Sequence, residues 1–364
     1  MSFSRSKALG ILILGIMAIA GIGSYIAFHR QAPQPQTTTT ASLMTVVSET
    51  EATAVSETET VSETEAIVPR YANPQLLVDT EWILKHSSDE KVRIVDVRSQ
   101  DEYRKGHIEK AVQLNVESLR TKVNDVEQVA SKDVVESILG QLGVSRESTV
   151  VVYDKGNSLD AAWVFWTLEY YGHRDVRILN GGWSRWASEG KHVTGEIPNY
   201  NRTVYSATVR PELLATAEYV LNNLEDPRIV ILDVRSALEF NGTKVMARRG
   251  GHIPGAVNVE WTQAIHPDGT LKSSSELVAV YQRVGVTQGK EVIIYCQLGH
   301  RAAHTYFVMR LLGYTARLYD GSWQEWGNRE DLPIVQIRLR SWDKWMMIAR
   351  YWSTRHLRML MSDA

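Results

Sequence analysis

The chain has 364 residues, a formal net charge of −2, 44% hydrophobic residues and 23% charged residues. These values are typical of an ordinary globular protein of about two domains, and they give no sign of a nucleic-acid partner. The sequence contains one cysteine, which excludes an internal disulfide and a cysteine-rich metal framework.

The N-terminal segment, residues 1–30, has the pattern of a membrane anchor. Basic residues flank an apolar stretch at residues 8–28 that carries no charged residue. A helix needs about 20 apolar residues to span a bilayer, so this stretch is long enough. We predict an uncleaved transmembrane signal anchor, with the body of the protein outside the cytoplasm, periplasmic or at the cell surface. A cleaved signal peptide and a secreted protein are the alternative.

Residues 31–70 are predicted to form a disordered linker. The segment opens with prolines and a threonine run, and then repeats the phrase Ser-Glu-Thr-Glu from Ser48, Ser56 and Ser62. Such a composition cannot bury enough apolar surface to offset the entropy lost on folding. We expect a solvated tether between the anchor and the body.

The body of the chain is an internal repeat, which indicates two similar domains. Four phrases recur in the same order: residues 93–99 as 230–236, 106–112 as 251–257, 151–154 as 293–296, and 180–183 as 320–323. We place the domains at residues 71–200 and 205–336. The second copy carries an insertion near residues 241–249.

Each copy alternates strand and helix signals. The repeat predicts a strand at residues 150–153 and 292–295, each followed after a loop by a helix at residues 160–171 and 301–312. Gly313 stands where a helix C-terminal cap is expected. The alternation is typical of an α/β domain with a mostly parallel sheet flanked by helices. Ligands bind at the carboxyl ends of such strands, where Asp154 and Cys296 fall.

The C-terminal tail, residues 337–364, mixes arginine and lysine with tryptophan, tyrosine and methionine. One interpretation is a basic amphipathic helix that lies on a membrane surface. The other is a helix that packs on the second domain. The sequence supports the two interpretations equally.

Cys296 opens the loop between a predicted strand and a predicted helix. The loop residues are Gln297, Leu298, Gly299, His300, Arg301 and Ala302. Converging backbone N–H groups, the positive end of the helix and cationic side chains favour a thiolate there, with Arg301 the main cation and His300 a second candidate. Gly299 allows a tight turn without a Cβ clash. An inert buried cysteine is the alternative, but a cationic loop favours a reactive one.

Several phrases resemble those of the rhodanese family. They are Asp-Val-Arg-Ser at residues 96–99 and 233–236, Gly-His-Ile-Pro-Gly-Ala-Val-Asn at residues 251–258, Cys-x-x-Gly-x-Arg at residues 296–301, and Tyr-Asp-Gly-Ser-Trp-x-Glu-Trp at residues 319–326. The resemblance covers residues 76–335, and within the family the chain is most similar to thiosulfate and 3-mercaptopyruvate sulfurtransferases. It implies two tandem rhodanese-like domains, of which the first is inactive and the second catalytic. Asp154 stands in the first copy where the second has Cys296.

The resemblance also implies a reaction. The Cys296 thiolate would attack the outer sulfur of a small anionic donor, thiosulfate in preference to 3-mercaptopyruvate, and hold it as a persulfide. A thiophilic acceptor, cyanide or a thiol, would then remove the sulfur in a ping-pong cycle. Backbone N–H groups of residues 297–302 would stabilise the persulfide. The mechanism needs no metal and no organic cofactor.

The sequence departs from the family close to the cysteine. Residues 297–298 stand where animal-type thiosulfate enzymes have a basic pair and mercaptopyruvate enzymes a Gly-Ser pair, and Glu239 stands where both have an arginine. Contacts to the donor anion are therefore predicted first from Arg301, and next from Arg248 and Arg249 of the second-copy insertion.

Other residues are predicted to support the fold. Asp233, Arg235 and His252 each have an equivalent in the first copy, which lacks the cysteine. Their recurrence favours a structural role over a catalytic one, since structural ion pairs also perturb charges. His300 and His304 are four residues apart without an evident carboxylate partner, so we predict no metal site.

Two alternative functions stay open. Cysteine phosphatases resemble this fold, but their loop has a histidine before the cysteine and an arginine one residue further on, where this sequence has Tyr295 and Ala302. No arginine is therefore placed to clamp a phosphate oxyanion. A tethered persulfide carrier or recognition module without turnover is the stronger alternative, because a fold alone does not fix a function.

Overall fold

The computed structural model of the protein describes residues 70–336. The predicted anchor at residues 1–30, the linker up to residue 69 and the tail at residues 337–364 lie outside the described residues. None of the helices within residues 70–336 combines the length and the apolar character needed to cross a membrane.

The first domain is an α/β unit built on a parallel sheet. Its elements are β1 (Leu77–Val78), α1 (Thr80–His86), β2 (Val92–Asp96), α2 (Gln100–Lys105), β3 (Val112–Gln113), β4 (Arg120–Val123), β5 (Val126–Val129), α3 (Lys132–Gln141), β6 (Thr149–Tyr153), α4 (Leu159–Tyr170), β7 (Val176–Leu179) and α5 (Gly182–Ser188). The strand order of the sheet is β1-β7-β6-β2-β3, and every pair is parallel. Strands β4 and β5 form a separate antiparallel hairpin.

The second domain repeats this architecture without the hairpin. Its elements are β8 (Leu214–Ala215), α6 (Ala217–Asn222), β9 (Ile229–Asp233), α7 (Ala237–Phe240), β10 (Val257–Asn258), α8 (Ser274–Gln282), β11 (Glu291–Tyr295), α9 (His300–Leu312), β12 (Thr315–Tyr319) and α10 (Ser322–Trp326). The strand order is β8-β12-β11-β9-β10, again parallel throughout. The prediction of two tandem α/β domains with parallel sheets is confirmed.

The elements on either side of each loop lie close to their predicted bounds. Strands β6 and β11 and helices α4 and α9 each begin one residue before the predicted position. Gly313 caps α9 with φ of +78°, a left-handed conformation that a residue without a Cβ adopts readily. The predicted helix end at this glycine is confirmed.

Both faces of each sheet are buried because helices cover them on both sides. Val292 and Ile294 of β11 face a large core that the two domains share, whereas Ile293 and Tyr295 face a separate core of the second domain. Successive strand side chains point to opposite faces, so a strand covered on both sides reads as a continuous apolar run. This explains why the strand signals lack polar alternation.

Helices α4 and α9 pack against each other and join the domains. The rings of Phe165 and Phe307 meet edge to face with centroids 4.8 Å apart. Arg310 forms two hydrogen bonds of 3.0 Å to the Glu169 carboxylate, and the Tyr306 hydroxyl donates to the same carboxylate at 2.9 Å. Because each helix follows the loop at its strand's carboxyl end, this packing brings the two loops to the domain interface.

Candidate active site

Cys296 directly follows β11, which lies at the centre of the second sheet. Both neighbours of β11 are parallel to it, so the cysteine lies at the shared carboxyl edge where such sheets bind ligands. The side chain is 1% exposed. The backbone N–H of Gly299 donates to its Sγ at 3.1 Å. The sulfur is therefore held at the start of α9, whose N-terminal end favours negative charge.

The turn requires glycine at residue 299 because of its backbone conformation and because other groups lie close to its Cα. Its φ is +90°, and a Cβ built on it would lie 2.9 Å from Asp320 Oδ1 and 3.1 Å from the Trp163 ring. The glycine thus lets the loop pass between a carboxylate of its own domain and an aromatic ring of the first domain.

If Cys296 accepts sulfur, as the family resemblance implies, Gly299→Ala should lower the rate of sulfur loading by about 10–100-fold, because a displaced loop misplaces the sulfur atom of Cys296. Gly285→Ala is the matched control, since Gly285 has φ of +87° but no neighbour within 4 Å of its built Cβ. Both variants should lose about 1–2 kcal/mol of stability from backbone strain. Equal loading rates in the two variants, measured by mass spectrometry, would contradict the requirement for close passage.

The start of α10 fixes the backbone of Cys296. The Cys296 N–H donates to Ser322 Oγ at 3.2 Å, and that hydroxyl donates to the Tyr319 carbonyl at 2.8 Å. The Trp323 N–H donates to the Cys296 carbonyl at 3.0 Å. The sequence analysis did not assign a role to Ser322, although the Asp-Gly-Ser-Trp phrase marked its position.

Arg301 forms an ion pair with Glu239, the residue that departs from the family. Two parallel hydrogen bonds of 3.0 Å join the guanidinium to the carboxylate. Glu239 also completes a capping box with Ser236 at the start of α7. Burial opposes its ionisation, but the bonds and charge of Arg301 outweigh burial and hold the pKa of Glu239 at about 2. Arg301 therefore faces the cysteine as a cation whose two terminal nitrogens are already bonded.

Arg301 is a buried cation close to Cys296. Burial opposes the charge on the guanidinium, but the Glu239 carboxylate and the negative charge at Cys296 together raise its pKa above the usual value. Arg301 thus lies close enough to Cys296 for the two groups to interact, and its role in stabilising a thiolate stays a prediction.

His300 does not add the positive charge considered for it. Burial, together with the charge of Arg120, lowers the pKa of His300 to about 3, so the ring is neutral near pH 7. The imidazole packs against the Trp163 ring with centroids 5.0 Å apart. His304 is a buried residue of α9, and burial lowers its pKa to about 4. Within residues 70–336, no group of three or more His, Cys, Asp or Glu side chains could hold a metal ion.

A cavity of about 440 Å³ opens beside the Cys296 sulfur. It is lined by Glu117, Arg120, Glu127, Glu239, Lys244, Met246, Cys296, Gln297, Leu298, His300 and Arg301. The first three belong to the first domain. The sequence did not indicate this contribution, nor that Lys244 and Met246 of the second-copy insertion line the cavity.

The hairpin β4–β5 brings the first domain to the loop at residues 296–299, called the catalytic loop below. The Arg120 Nη2–H donates to the Leu298 carbonyl at 2.8 Å. The Val129 N–H donates to Asp320 Oδ2 at 2.7 Å. The cavity is thus walled by both domains, and the second domain alone would leave one side open.

Asp320 provides a pH-dependent contribution to stability. Burial raises its pKa to about 7, against the opposing effects of the Val129 N–H and the Arg120 charge. The folded protein then holds a proton between about pH 4 and 7 that the unfolded chain has lost, so this group makes stability fall as pH rises through that range. Above about pH 7 the full cost of the buried charge is present.

We expect Asp320→Asn to remove that cost, since the amide oxygen still accepts from the Val129 N–H. Denaturant unfolding should show that the free energy of unfolding of the variant, relative to the wild type, is about 1–3 kcal/mol higher at pH 8 than at pH 5. The same difference in unfolding free energy at both pH values would show that Asp320 does not titrate in this range.

The remaining predicted loop residues have distinct places. Gln297 is buried and donates from Nε2 to the Met246 carbonyl at 3.0 Å. Leu298 is 40% exposed at the cavity mouth. Ala302 is fully buried in α9 and does not line the cavity.

The structure does not bring Arg248 and Arg249 to the Cys296 cavity. Arg249 donates to the carbonyls of Trp326, Gly327 and Leu332, and so fixes the chain after α10. Arg248 lines a different cavity, on the side of the hairpin tip. Neither residue lines the cavity beside Cys296, although Lys244 and Met246 of the same insertion do. They are therefore not in place to contact a donor bound at Cys296.

The predicted supporting residues form buried contacts next to the loop. Arg235 donates from Nε and Nη2 to the Asp233 carboxylate at 3.0 and 2.6 Å, and Nη2 also donates to the Gly251 carbonyl. His252 Nδ1 lies 2.8 Å from the Phe240 carbonyl, and its backbone pairs with the chain at Val335. These contacts tie the end of β9 to the turn before β10.

The first-domain loop holds a carboxylate where the second holds sulfur. Asp154 Oδ1 accepts from the N–H groups of Gly156 and Ser158 at 2.8 and 3.1 Å, and Oδ2 accepts from Asp160 at 3.2 Å. Burial raises the pKa of Asp154, while these backbone bonds act to lower it. The loop of this fold therefore forms a ring of N–H donors suited to a negative group.

The sequence matches the family described as Rhodanese-like domain over residues 79–189 and 216–329. It is 38% identical over 285 residues to the sulfur carrier protein TtuD of Thermus thermophilus, covering 73% of this chain and 98% of that protein. It is 33% identical over 268 residues to the thiosulfate sulfurtransferase of Azotobacter vinelandii, covering 72% and 98%.

A solved structure of a related enzyme has a similar fold. The fold is similar to that of the 3-mercaptopyruvate sulfotransferase SseA from Escherichia coli, with a TM-score of 0.63 and 30% identity over 68% of this chain and 98% of SseA. Each matched segment contains four of the five strands of one parallel sheet, and the second contains Cys296. The chain therefore belongs to the rhodanese family, with two tandem rhodanese-like domains.

Proposed function

We propose that the protein is a sulfurtransferase that moves sulfur from thiosulfate, or from 3-mercaptopyruvate, to cyanide or a thiol through a persulfide on Cys296. The observation that carries this proposal is the Cys296 sulfur itself, which accepts an N–H bond from Gly299 and borders an open cavity. Relatives named thiosulfate sulfurtransferase support thiosulfate as the donor.

The chemistry is a two-step exchange at sulfur. The Cys296 thiolate attacks the outer sulfur of thiosulfate, an S–S bond forms to Sγ, the S–S bond of the donor breaks, and sulfite leaves with the electron pair. The acceptor then attacks the terminal sulfur of the persulfide, and the Cys296 thiolate is regenerated. Cyanide leaves this second step as thiocyanate. This is covalent catalysis by an activated thiol.

The arrangement stabilises negative charge at each stage. The Gly299 N–H at the start of α9 donates to the sulfur, and Arg301 provides the nearby positive charge. Donors fixed in place before the reaction stabilise the anion without reorganisation cost. The carboxylate in the equivalent loop of the first domain supports this role for the N–H ring.

The direct test compares two donors on the purified full-length chain. Intact-mass analysis after treatment with thiosulfate, and separately with 3-mercaptopyruvate, should show one added sulfur atom on Cys296. Cyanide should then remove that sulfur as thiocyanate. The donor that loads faster is the preferred one, and failure of both donors to load the protein would exclude sulfur transfer.

A persulfide carrier is the second candidate, because a relative at 38% identity is named a sulfur carrier protein. A carrier would load at Cys296 but discharge slowly to cyanide and small thiols. Rapid mixing of the loaded protein with these acceptors separates the two hypotheses. Discharge faster than loading supports the enzyme, and discharge that needs a protein acceptor supports the carrier.

We also propose that the protein is anchored in a membrane with its body outside the cytoplasm. The apolar stretch at residues 8–28, between basic residues, supports this proposal. A protease added to intact cells should then digest the body, whereas a cytoplasmic body would be protected. The tail at residues 337–364 adds a second membrane contact if it binds vesicles of anionic lipid.

A further inference from the structure

The donor anion needs a positive partner that the Cys296 loop does not supply. Both terminal nitrogens of Arg301 are bonded to Glu239. His300 is neutral near pH 7, because burial holds its pKa at about 3. The two residues directly after the cysteine carry no charge. The charge of Arg301 is therefore compensated by Glu239, and this loop offers a doubly charged donor such as thiosulfate no uncompensated cation.

Arg120 of the first domain lines the same cavity and has donor capacity left. Its side chain is 5% exposed. Nη2 donates to the Leu298 carbonyl at 2.8 Å, but Nη1 is buried and has no hydrogen-bond partner within residues 70–336. Its Cζ lies 4.6 Å from the centre of the Trp163 ring, which holds the guanidinium plane in place. Buried donors of this kind are rarely left without a partner in native proteins.

We infer that Arg120 binds the oxygen atoms of a tetrahedral sulfur oxyanion, the class to which thiosulfate and sulfite belong. This rests on the proposed sulfurtransferase function and names the residue that recognises its donor. A planar guanidinium fixed on one side by a carbonyl and on one face by an indole presents its remaining N–H groups in a set direction. Lys244, exposed at the cavity edge and without an ion pair among the described residues, supplies a second positive charge.

Two carboxylates in the cavity make the contact between Arg120 and the donor anion necessary for binding. Glu117 and Glu127 also line it. The Glu127 carboxylate lies 3.7 Å from Arg120 Nε, beyond hydrogen-bond length, and 3.5 Å from Lys122 Nζ on the exposed face of the hairpin. Without Arg120 these two carboxylates would repel an incoming anion. Direct bonds from Arg120 are therefore what allow a dianion to enter.

The first domain thus takes part in donor recognition although it has no cysteine. Arg120 also bonds to the backbone of the catalytic loop, so it links the position of that loop to the bound donor. This role separates Arg120 from a simple structural contact, because it predicts a dependence on the charge of the donor.

Binding is measured first, without turnover, on the full-length chain carrying Cys296→Ser. Calorimetric titration with thiosulfate and with sulfite compares this parent with added Arg120→Gln, Arg120→Lys and Lys122→Gln. We expect Arg120→Gln to weaken binding about 10–100-fold, the range of a charge-assisted hydrogen bond. Arg120→Lys should restore part of the affinity. Lys122→Gln removes the same charge from the same hairpin but outside the cavity, and should weaken binding much less than Arg120→Gln does.

Steady-state kinetics with intact Cys296 then compare thiosulfate with methanethiosulfonate, a donor with one negative charge less. Arg120→Gln should raise KM for thiosulfate more than for methanethiosulfonate. A purely structural role would lower kcat for both donors equally and would overturn the inference. So would unchanged anion affinity in Arg120→Gln, an equal loss in Lys122→Gln, or no detectable anion binding by the parent. If Arg120→Gln abolishes anion binding but the protein with intact Cys296 never loads sulfur, the proposed function is refuted and the inference about Arg120 stands.

Discussion

Replacement of Cys296 by serine should abolish sulfur transfer, with a fall in the rate of thiocyanate formation of about a thousandfold or more. Loss of a covalent nucleophile has effects of this size because the remaining groups cannot form the intermediate. Serine preserves the size and the bond from the Gly299 N–H, so the fold should persist. Thiocyanate formation is followed by colorimetry, and the added sulfur by intact mass.

The first domain offers the matched control for this substitution. Asp154 occupies the position equivalent to Cys296 and is bonded by its own loop. Asp154→Ser should leave sulfur loading at Cys296 within about twofold of the wild type, while it lowers stability because the loop N–H groups lose their carboxylate. Sulfur loading that persists in Cys296→Ser could not occur on a cysteine of this chain, because Cys296 is the only one in the sequence, and it would end the proposal.

The second large effect is expected on stability, from Asp233→Asn. The Asp233 and Arg235 side chains are 0% and 1% exposed, so the pair lies wholly inside the protein. Removing the carboxylate charge leaves the guanidinium buried without compensation, which costs about 3–5 kcal/mol. Denaturant unfolding gives this value directly. Asp233 is also in register with Tyr295, the residue before the cysteine, so we expect a lower rate of sulfur transfer as well.

Asp96→Asn separates the two effects. Asp96 forms the same buried pair with Arg98 in the first domain and is in register with Tyr153. It should cost a similar free energy of unfolding but leave the transfer rate unchanged at a temperature where both variants are folded. A transfer rate that falls equally in the two variants would mean that Asp233 acts only through global stability.

The repeat made much of the fold predictable. Each phrase occurs in two copies, so the strand or helix predicted from one copy is supported by the same pattern in the other. The strand before Cys296 and the helix after it lie within one residue of their predicted bounds, because β-branched runs and Gly313 mark them clearly. Membership of the rhodanese family was predicted from the same phrases and is confirmed.

The site was predicted only where it is local in sequence. Cys296, Gly299 and Arg301 lie together as expected because they fall within six consecutive residues, at the loop and the first turn of α9. Arg120 could not be placed, since its partner Leu298 is 178 residues away and no pattern connects a hairpin to a distant loop. Cross-domain contacts of this kind depend on how the helices of the two domains pack.

The pairing of Glu239 was within reach of the sequence. Ser236 and Glu239 repeat the capping-box spacing of Ser99 and Glu102, which indicates a carboxylate directed at the start of α7. Its ion pair with Arg301 follows only from the packing of α7 beside the loop. The neutral state of His300 is likewise a consequence of burial, which a single sequence does not reveal.

The carboxylate of Asp154 gives the two halves of the molecule different relations to their surroundings. In the first domain the loop N–H groups bond to a side chain that belongs to the chain itself, so the form of that loop does not depend on any donor. In the second domain the equivalent group is the Cys296 sulfur, which accepts from the Gly299 N–H. If Cys296 is loaded with sulfur as proposed, the second loop changes with the supply of the donor while the first loop keeps one form.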